Sequence, residues 1–141
     1  MIIQQLSVFL ENRSGKLTDV TEAMAKNNIN ITALSVAETS EYGILRLIVS
    51  DPQSAVAKLR EEGFSVGLTD VICITMPDKP GALARALRLL SDKELCVEYM
   101  YAFSMNDKAS AILRVERLKE AIQVLSDNKV HLMRASELYS I

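Results

Sequence analysis

The stretch ENRSGKL, residues 11–17, lies between an apolar run and an amphipathic segment, and PDKPGAL, residues 77–83, lies in the same setting 66 positions later. A shift of 66 residues, with no gap, brings Gly15 onto Gly81, Leu17 onto Leu83, Leu47 onto Leu113, Val49 onto Val115, Ala55 onto Ala121 and Leu59 onto Leu125. Similar pairs fill the intervals, among them Asn12 with Asp78, Arg13 with Lys79, Ile29 with Leu95 and Ile31 with Val97. A fixed period of this kind means two copies of one structural unit. The expected division is residues 1–69 and 70–141.

Each copy shows the same succession of patterns. An apolar strand, IIQQLSVFL in the first copy and VICITM in the second, runs into the glycine junction. A helix follows, with Leu17, Val20 and Met24, or Leu83, Ala86, Leu87 and Leu90, spaced to face a core. Two β-type runs come next, joined by polar turns at Ser40 to Glu41 and at Asn106 to Asp107. A second helix starts near Pro52 and Leu118, and the short strands FSVGL and VHLM close the units. The order βαββαβ, twice, predicts an α+β fold of two tandem ferredoxin-like units, antiparallel sheets with both helices on one face. The passage FSVGLTDVICITM, broken only at Thr69 to Asp70, predicts a rigid pair whose uncovered sheet faces join to each other or to a second chain.

Composition removes several classes of function. The 141 residues are 49% apolar and 24% charged with a net charge of −2, an ordinary globular balance without the basic surplus of a nucleic-acid binder. The start lacks a basic region and a long apolar core, and no window approaches the roughly 18 apolar residues of a membrane span. A cytoplasmic location is expected, with no membrane association. Cys73, Cys96 and His131 have no zinc spacing, so no metal and no cofactor are expected, and both cysteines read as buried thiols.

The junction joins a strand end, a polar turn and a helix N-terminus. First-turn amides lack helical partners and carry the positive end of the helix dipole, which suits a carboxylate. Gly15 and Gly81 allow close backbone approach. The competing reading is capping alone: Asn12 and Asp78 are preferred N-cap types, and Pro80 suits an early helical position.

The two stretches FLENRSGKLTDVTEAMAKNNINITALS and MPDKPGALARALRLLSDKELCVEYMYAFS each resemble the opening of an ACT domain, a small amino-acid-binding regulatory module of metabolic enzymes such as phosphoglycerate dehydrogenase, aspartate kinase and acetolactate synthase. The resemblance rests on a polar residue three positions before Gly-x-Leu and on the "NI" that opens the second strand. It implies a free amino acid held between modules, touching the strand-to-helix junction of a module and the start of its second strand. The matching residues are Asn12, Arg13, Ser14, Gly15, Lys16 and Leu17 with Asn30 and Ile31. A weaker second site would use Asp78, Lys79, Pro80, Gly81, Ala82 and Leu83 with Cys96 and Val97. Serine-binding members carry asparagine at the positions of Asn12 and Asn30, and the second copy departs from this with Asp78 and Cys96. Asp78 beside a helix N-terminus would take the free amides itself and repel a ligand carboxylate, so the first junction is expected to bind more strongly.

The leading expectation is a regulatory sensor of amino-acid metabolism without catalysis, a homodimer, with output through oligomerisation or a partner enzyme. Two alternatives stand beside it: a regulatory subunit acting on a separate biosynthetic enzyme, as in acetolactate synthase, and a ferredoxin-like nucleic-acid module. An enzyme would have to use His131, expected on a solvent-facing strand position, and Glu61 with Glu62 read as solvated surface. Tyr99, Tyr101 and Phe103 share one face of a strand, as base-stacking residues would, but lack a basic surround. They are expected to pack between sheets or to wall the ligand pocket.

Overall fold

The computed structural model describes residues 1–39, 41–105 and 107–140, so the turn positions Ser40 and Asn106 lie outside the described residues. The chain forms β1 (Ile3–Glu11), α1 (Lys16–Lys26), β2 (Ile31–Glu38), β3 (Tyr42–Val49), α2 (Pro52–Glu61), β4 (Ser65–Pro77), α3 (Ala82–Ser91), β5 (Val97–Met105), β6 (Lys108–Val115), α4 (Leu118–Asp127), β7 (His131–Leu132) and α5 (Ala135–Tyr139). It separates into two compact units, Gln4–Thr69 with the residues from Ser136 onward, and Met1–Ile3 with Asp70–Ala135.

In the first unit the strand order is β2-β3-β1-β4, with antiparallel pairing of Leu6 to Leu47 and Leu34 to Leu47 across β3. Alternation puts Leu6, Val8, Leu10, Leu45 and Leu47 on one sheet face, where they pack with Val20, Ala23 and Met24 of α1 and Ala55, Val56 and Leu59 of α2. Leu17, expected on this buried face, is 41% exposed, because contact with the core begins one turn later at Val20. The second unit repeats the plan in the order β5-β6-β4-β7, with Ile72, Ile74, Leu113 and Val115 packed against Ala86, Leu90, Ala121 and Leu125.

The helix ends show the repetition most closely. Each of the four long helices closes in a Schellman turn, with Ile29 N–H on Met24 O at 2.9 Å, Phe64 on Leu59 at 3.0 Å, Leu95 on Leu90 at 3.0 Å and Val130 on Leu125 at 2.9 Å. The residue before each of these amides is left-handed: Asn28 (φ 55), Gly63 (φ 87), Glu94 (φ 55) and Lys129 (φ 62). In each case the two residues joined by the longer bond are both apolar, which is the contact this motif favours.

One expectation is corrected. The break at Thr69 to Asp70 is absent: β4 runs through it as one strand of 13 residues. The Thr69 hydroxyl bonds that of Ser7 at 3.1 Å, the Asp70 backbone carbonyl accepts from Arg114 at 2.8 Å and the Asp70 side chain is exposed, so both polar residues fit extended chain. The residues after β7 form α5, whose Leu138 is buried and whose Tyr139 hydroxyl accepts from the Gln4 backbone amide at 2.8 Å.

Candidate ligand clefts at the glycine junctions

The capping reading does not survive in its expected form. The N-caps of α1 and α3 are Gly15 (φ 88, ψ −11) and Gly81 (φ 90, ψ −14), and neither helix has a side-chain cap hydrogen bond. A Cβ at either glycine would meet nothing within 4 Å, so glycine is required by the left-handed dihedral and not by crowding. The turns before them are alike: Arg13 N–H reaches Glu11 O at 2.7 Å and Lys16 N–H reaches Arg13 O at 3.4 Å, as Lys79 reaches Pro77 at 2.9 Å and Ala82 reaches Lys79 at 3.2 Å. Asp78 therefore does not occupy the amides of α3, and Pro80 precedes the cap instead of opening the helix. By contrast α2 is capped by Asp51, whose carboxylate accepts from the Ser54 amide at 3.1 Å and its hydroxyl at 2.7 Å; these bonds hold the Asp51 carboxyl below its ordinary range.

The register separates residues that the sequence grouped together. Glu11 pairs with Tyr42 at one end of β3, and Asn12 N–H donates to Glu41 O at 3.1 Å. Ile31 pairs with Val49 at the other end, and Asn30 exchanges bonds there with Ser50, at 2.9 and 3.0 Å. Seven strand steps lie between, roughly 23 Å at the usual rise per residue. Asn12 and Asn30 of one unit thus cannot clamp one small molecule, and the same holds for Asp78 and Cys96. Residues 12–17 remain together as the junction, exposed apart from the half-buried Lys16.

A cavity of ≈ 260 Å³ opens at the first junction. Phe9, Leu10 and Glu11 from the end of β1, Tyr42 from β3 and residues 62–65 from the turn between α2 and β4 surround Lys16. The Lys16 ammonium lies 6.0 Å from the centre of the Phe64 ring. Glu62 and Glu11 line the same cavity, the latter paired with Arg13 at 2.8 Å. Among the described residues the Glu62 side chain has no hydrogen bond or ion pair. Sequence reasoning missed Phe9, Tyr42, Phe64 and Glu62. Phe9 and Tyr42 are 56% and 53% exposed and far apart in sequence, and only the register brings them to one end of the sheet.

The second unit has a cavity of ≈ 450 Å³ in the same place. Under the 66-residue shift, Thr75, Met76, Pro77, Ala82 and residues 128–131 replace the first cleft's residues except Tyr42, whose counterpart Lys108 lines only an adjoining depression, and Arg85, Ala86 and Leu89 extend the cleft along α3.

Other residues fall outside these clefts or need correction. Cys73 is buried, within 3.6 Å of the Met133 sulfur, and burial pushes its thiol up to about 12, so it is an inert core residue. Cys96, expected buried, is exposed at the turn before β5, its Sγ 3.8 Å from the Val97 carbonyl. His131 is on an exposed strand position, as expected, and lines the second cleft. Tyr99, Tyr101 and Phe103 are half-buried along β5, the edge strand of the second unit, opposite Arg114, Ile112 and Ser110, and do not line either junction cleft. Glu61 pairs with Lys58 at 3.6 Å on the surface. Among the described residues no group of acidic, histidine or cysteine side chains is arranged to hold a metal, and no helix is long and apolar enough to cross a membrane.

The whole chain, residues 1–141, matches the family described as an ACT domain pair. A crystal structure of protein BT0572 from Bacteroides thetaiotaomicron is 48% identical, superposes with a TM-score of 0.97, and is matched over 100% of this chain and 98% of that one. The regulatory subunit of aspartate kinase from Thermus thermophilus, in a ligand-free form, shares the fold at 14% identity and a TM-score of 0.68, over 88% of this chain and 91% of that one. The corresponding subunit from Thermus flavus gives 14% and 0.63, over 90% and 94%. No curated protein matches. With two βαββαβ units, each opening a helix on a left-handed glycine, and a match from end to end, the chain belongs to the ACT domain pair family.

Proposed function

We propose that this protein is a regulatory sensor that binds a free amino acid in the cleft at its first glycine junction. The observation that carries the reading is the charge arrangement there: an ammonium, Lys16, and a carboxylate, Glu62, line one small cavity, and neither makes an ion pair or side-chain hydrogen bond with any described residue. A zwitterion matches both. Its carboxylate would meet Lys16 and the uncapped first turn of α1, and its ammonium would meet Glu62 or Glu11. The apolar walls, Leu10, Phe64 and the rings of Phe9 and Tyr42, are left for the side chain.

Asn30 and Ile31 enter this proposal only through a second copy of the chain. A homodimer that laid the partner subunit's Asn30 against this junction would rebuild the asparagine pair that one unit keeps apart. Binding would then favour the dimer, which gives a regulatory output without chemistry at the site.

The test is a thermal-shift panel of the free amino acids on the full chain. A ligand at 100 times its dissociation constant adds about 2.7 kcal/mol to stability. The hit should be lost in Glu62→Gln with Lys16→Met. If Asn30→Ala also weakens it, the site spans two copies; if no amino acid shifts the transition, the proposal fails.

A further inference from the structure

The two junction clefts occupy equivalent positions, yet their charges do not correspond. Where the first has Glu11 and Glu62, the second has Pro77 and Asn128; where the first has Gly63, the second has Lys129. Asp19, beside the first cleft, is replaced by Arg85, which lines the second. Among the described residues neither Arg85 nor Lys129 makes an ion pair or a side-chain hydrogen bond. The base of the cleft is apolar, formed by Met76, Ala82, Ala86 and Val130. Asp107 lines only an adjoining depression, next to Lys108, and Asp78 lines neither.

The geometry points to a different ligand for the second cleft: a small carboxylate with an apolar body and no ammonium group, such as a 2-oxo acid. This rests on the reading of the junction clefts as ligand sites. The carboxylate would lie between the Arg85 guanidinium and the Lys129 ammonium, close to the uncapped first turn of α3. An α-ammonium would face those two cations with no carboxylate in the cleft to receive it, so an amino acid is selected against. One chain would then read an amino acid and a deaminated acid at separate clefts.

The experiment is calorimetric titration of the full chain with matched pairs in which only the α-substituent differs, 4-methyl-2-oxopentanoate against leucine and 3-methyl-2-oxobutanoate against valine. At least one oxo acid should bind, and lose about tenfold or more in affinity in Arg85→Gln with Lys129→Gln, the effect of removing charge contacts near a surface. Lys16→Met with Glu62→Gln should leave that binding unchanged while abolishing any amino-acid binding, which separates this inference from the proposal above. Lys129→Gly removes the same charge while relieving a left-handed residue, so weaker binding in that variant does not come from misfolding. The inference is overturned if neither oxo acid binds, if binding survives loss of both cations, if it disappears with the first-cleft variant, or if the matched amino acid binds the second cleft equally well.

Discussion

The left-handed residues that end the helices allow a stability prediction whose size follows from the backbone. Glu94 and Lys129 have φ of 55 and 62, where a residue with a Cβ costs about 1–2 kcal/mol relative to right-handed chain. Replacing either by glycine removes that cost, against about 0.4–1 kcal/mol of extra freedom gained by the unfolded chain. Glu94→Gly and Lys129→Gly should each therefore stabilise the protein by about 0.5–1 kcal/mol, a rise of a few degrees in Tm at most for a chain of this size. Gly63, at φ 87, supplies the reverse experiment: an added Cβ meets nothing within 4 Å, so Gly63→Ala should cost about 1 kcal/mol from torsion alone. Urea unfolding monitored by circular dichroism measures all three variants. If both glycine substitutions destabilise, or if Gly63→Ala is neutral, the helix ends are not the Schellman turns described. The pair also discriminates function from fold, because Glu94 lines neither junction cleft whereas Lys129 lines the second. Both variants should be stabilised, but only Lys129→Gly should lose anion binding.

Two further predictions concern single polar groups. The Thr75 hydroxyl is buried without a partner among the described residues, so Thr75→Val, which keeps the shape and removes the orphan, should be neutral or stabilising by about 1 kcal/mol in thermal unfolding. Asp51→Ala should cost about 1 kcal/mol at neutral pH by removing the cap of α2. Because the folded Asp51 carboxyl is held below its ordinary value by Ser54, its contribution is complete above the unfolded value near pH 4 and is lost as pH falls through the folded one. The difference between the two proteins should accordingly shrink on acidification, and a gap that widens would refute the cap.

The repeat and the fold were legible because the same spacing of apolar residues, seen twice, leaves few alternatives to βαββαβ. What was not legible depends on distant contacts. Tyr139 is held by Gln4, 135 residues away, and no local pattern in SELYSI announces a helix of five residues. The polarity of Thr69 and Asp70 suggested a break, but their partners Ser7 and Arg114 come from other strands. Asn12 and Asn30 were placed in one site because each matches a family position, and only the pairing of Glu11 with Tyr42 and of Ile31 with Val49 shows that one unit holds them at opposite ends.

The same comparison shows where the two copies have been free to differ. In the framework they largely agree: glycine opens α1 and α3, apolar residues close every Schellman turn, and Leu47 with Val49 recurs as Leu113 with Val115, although the left-handed Asn28 and Gly63 become Glu94 and Lys129. Around the clefts they disagree in charge, at Glu11 with Pro77, Lys16 with Ala82, Glu62 with Asn128 and Gly63 with Lys129. The last exchange runs against stability, since lysine stands where glycine would be less strained. Charge differs away from the clefts as well, at Glu22 with Arg88 and Asp51 with Arg117, so the exchanges at the cleft walls matter for what they leave there, a second cleft with no carboxylate among its described lining residues. The divergence of ligands proposed above would act on those groups, which a bound molecule would touch, and would leave the framework that presents them unchanged.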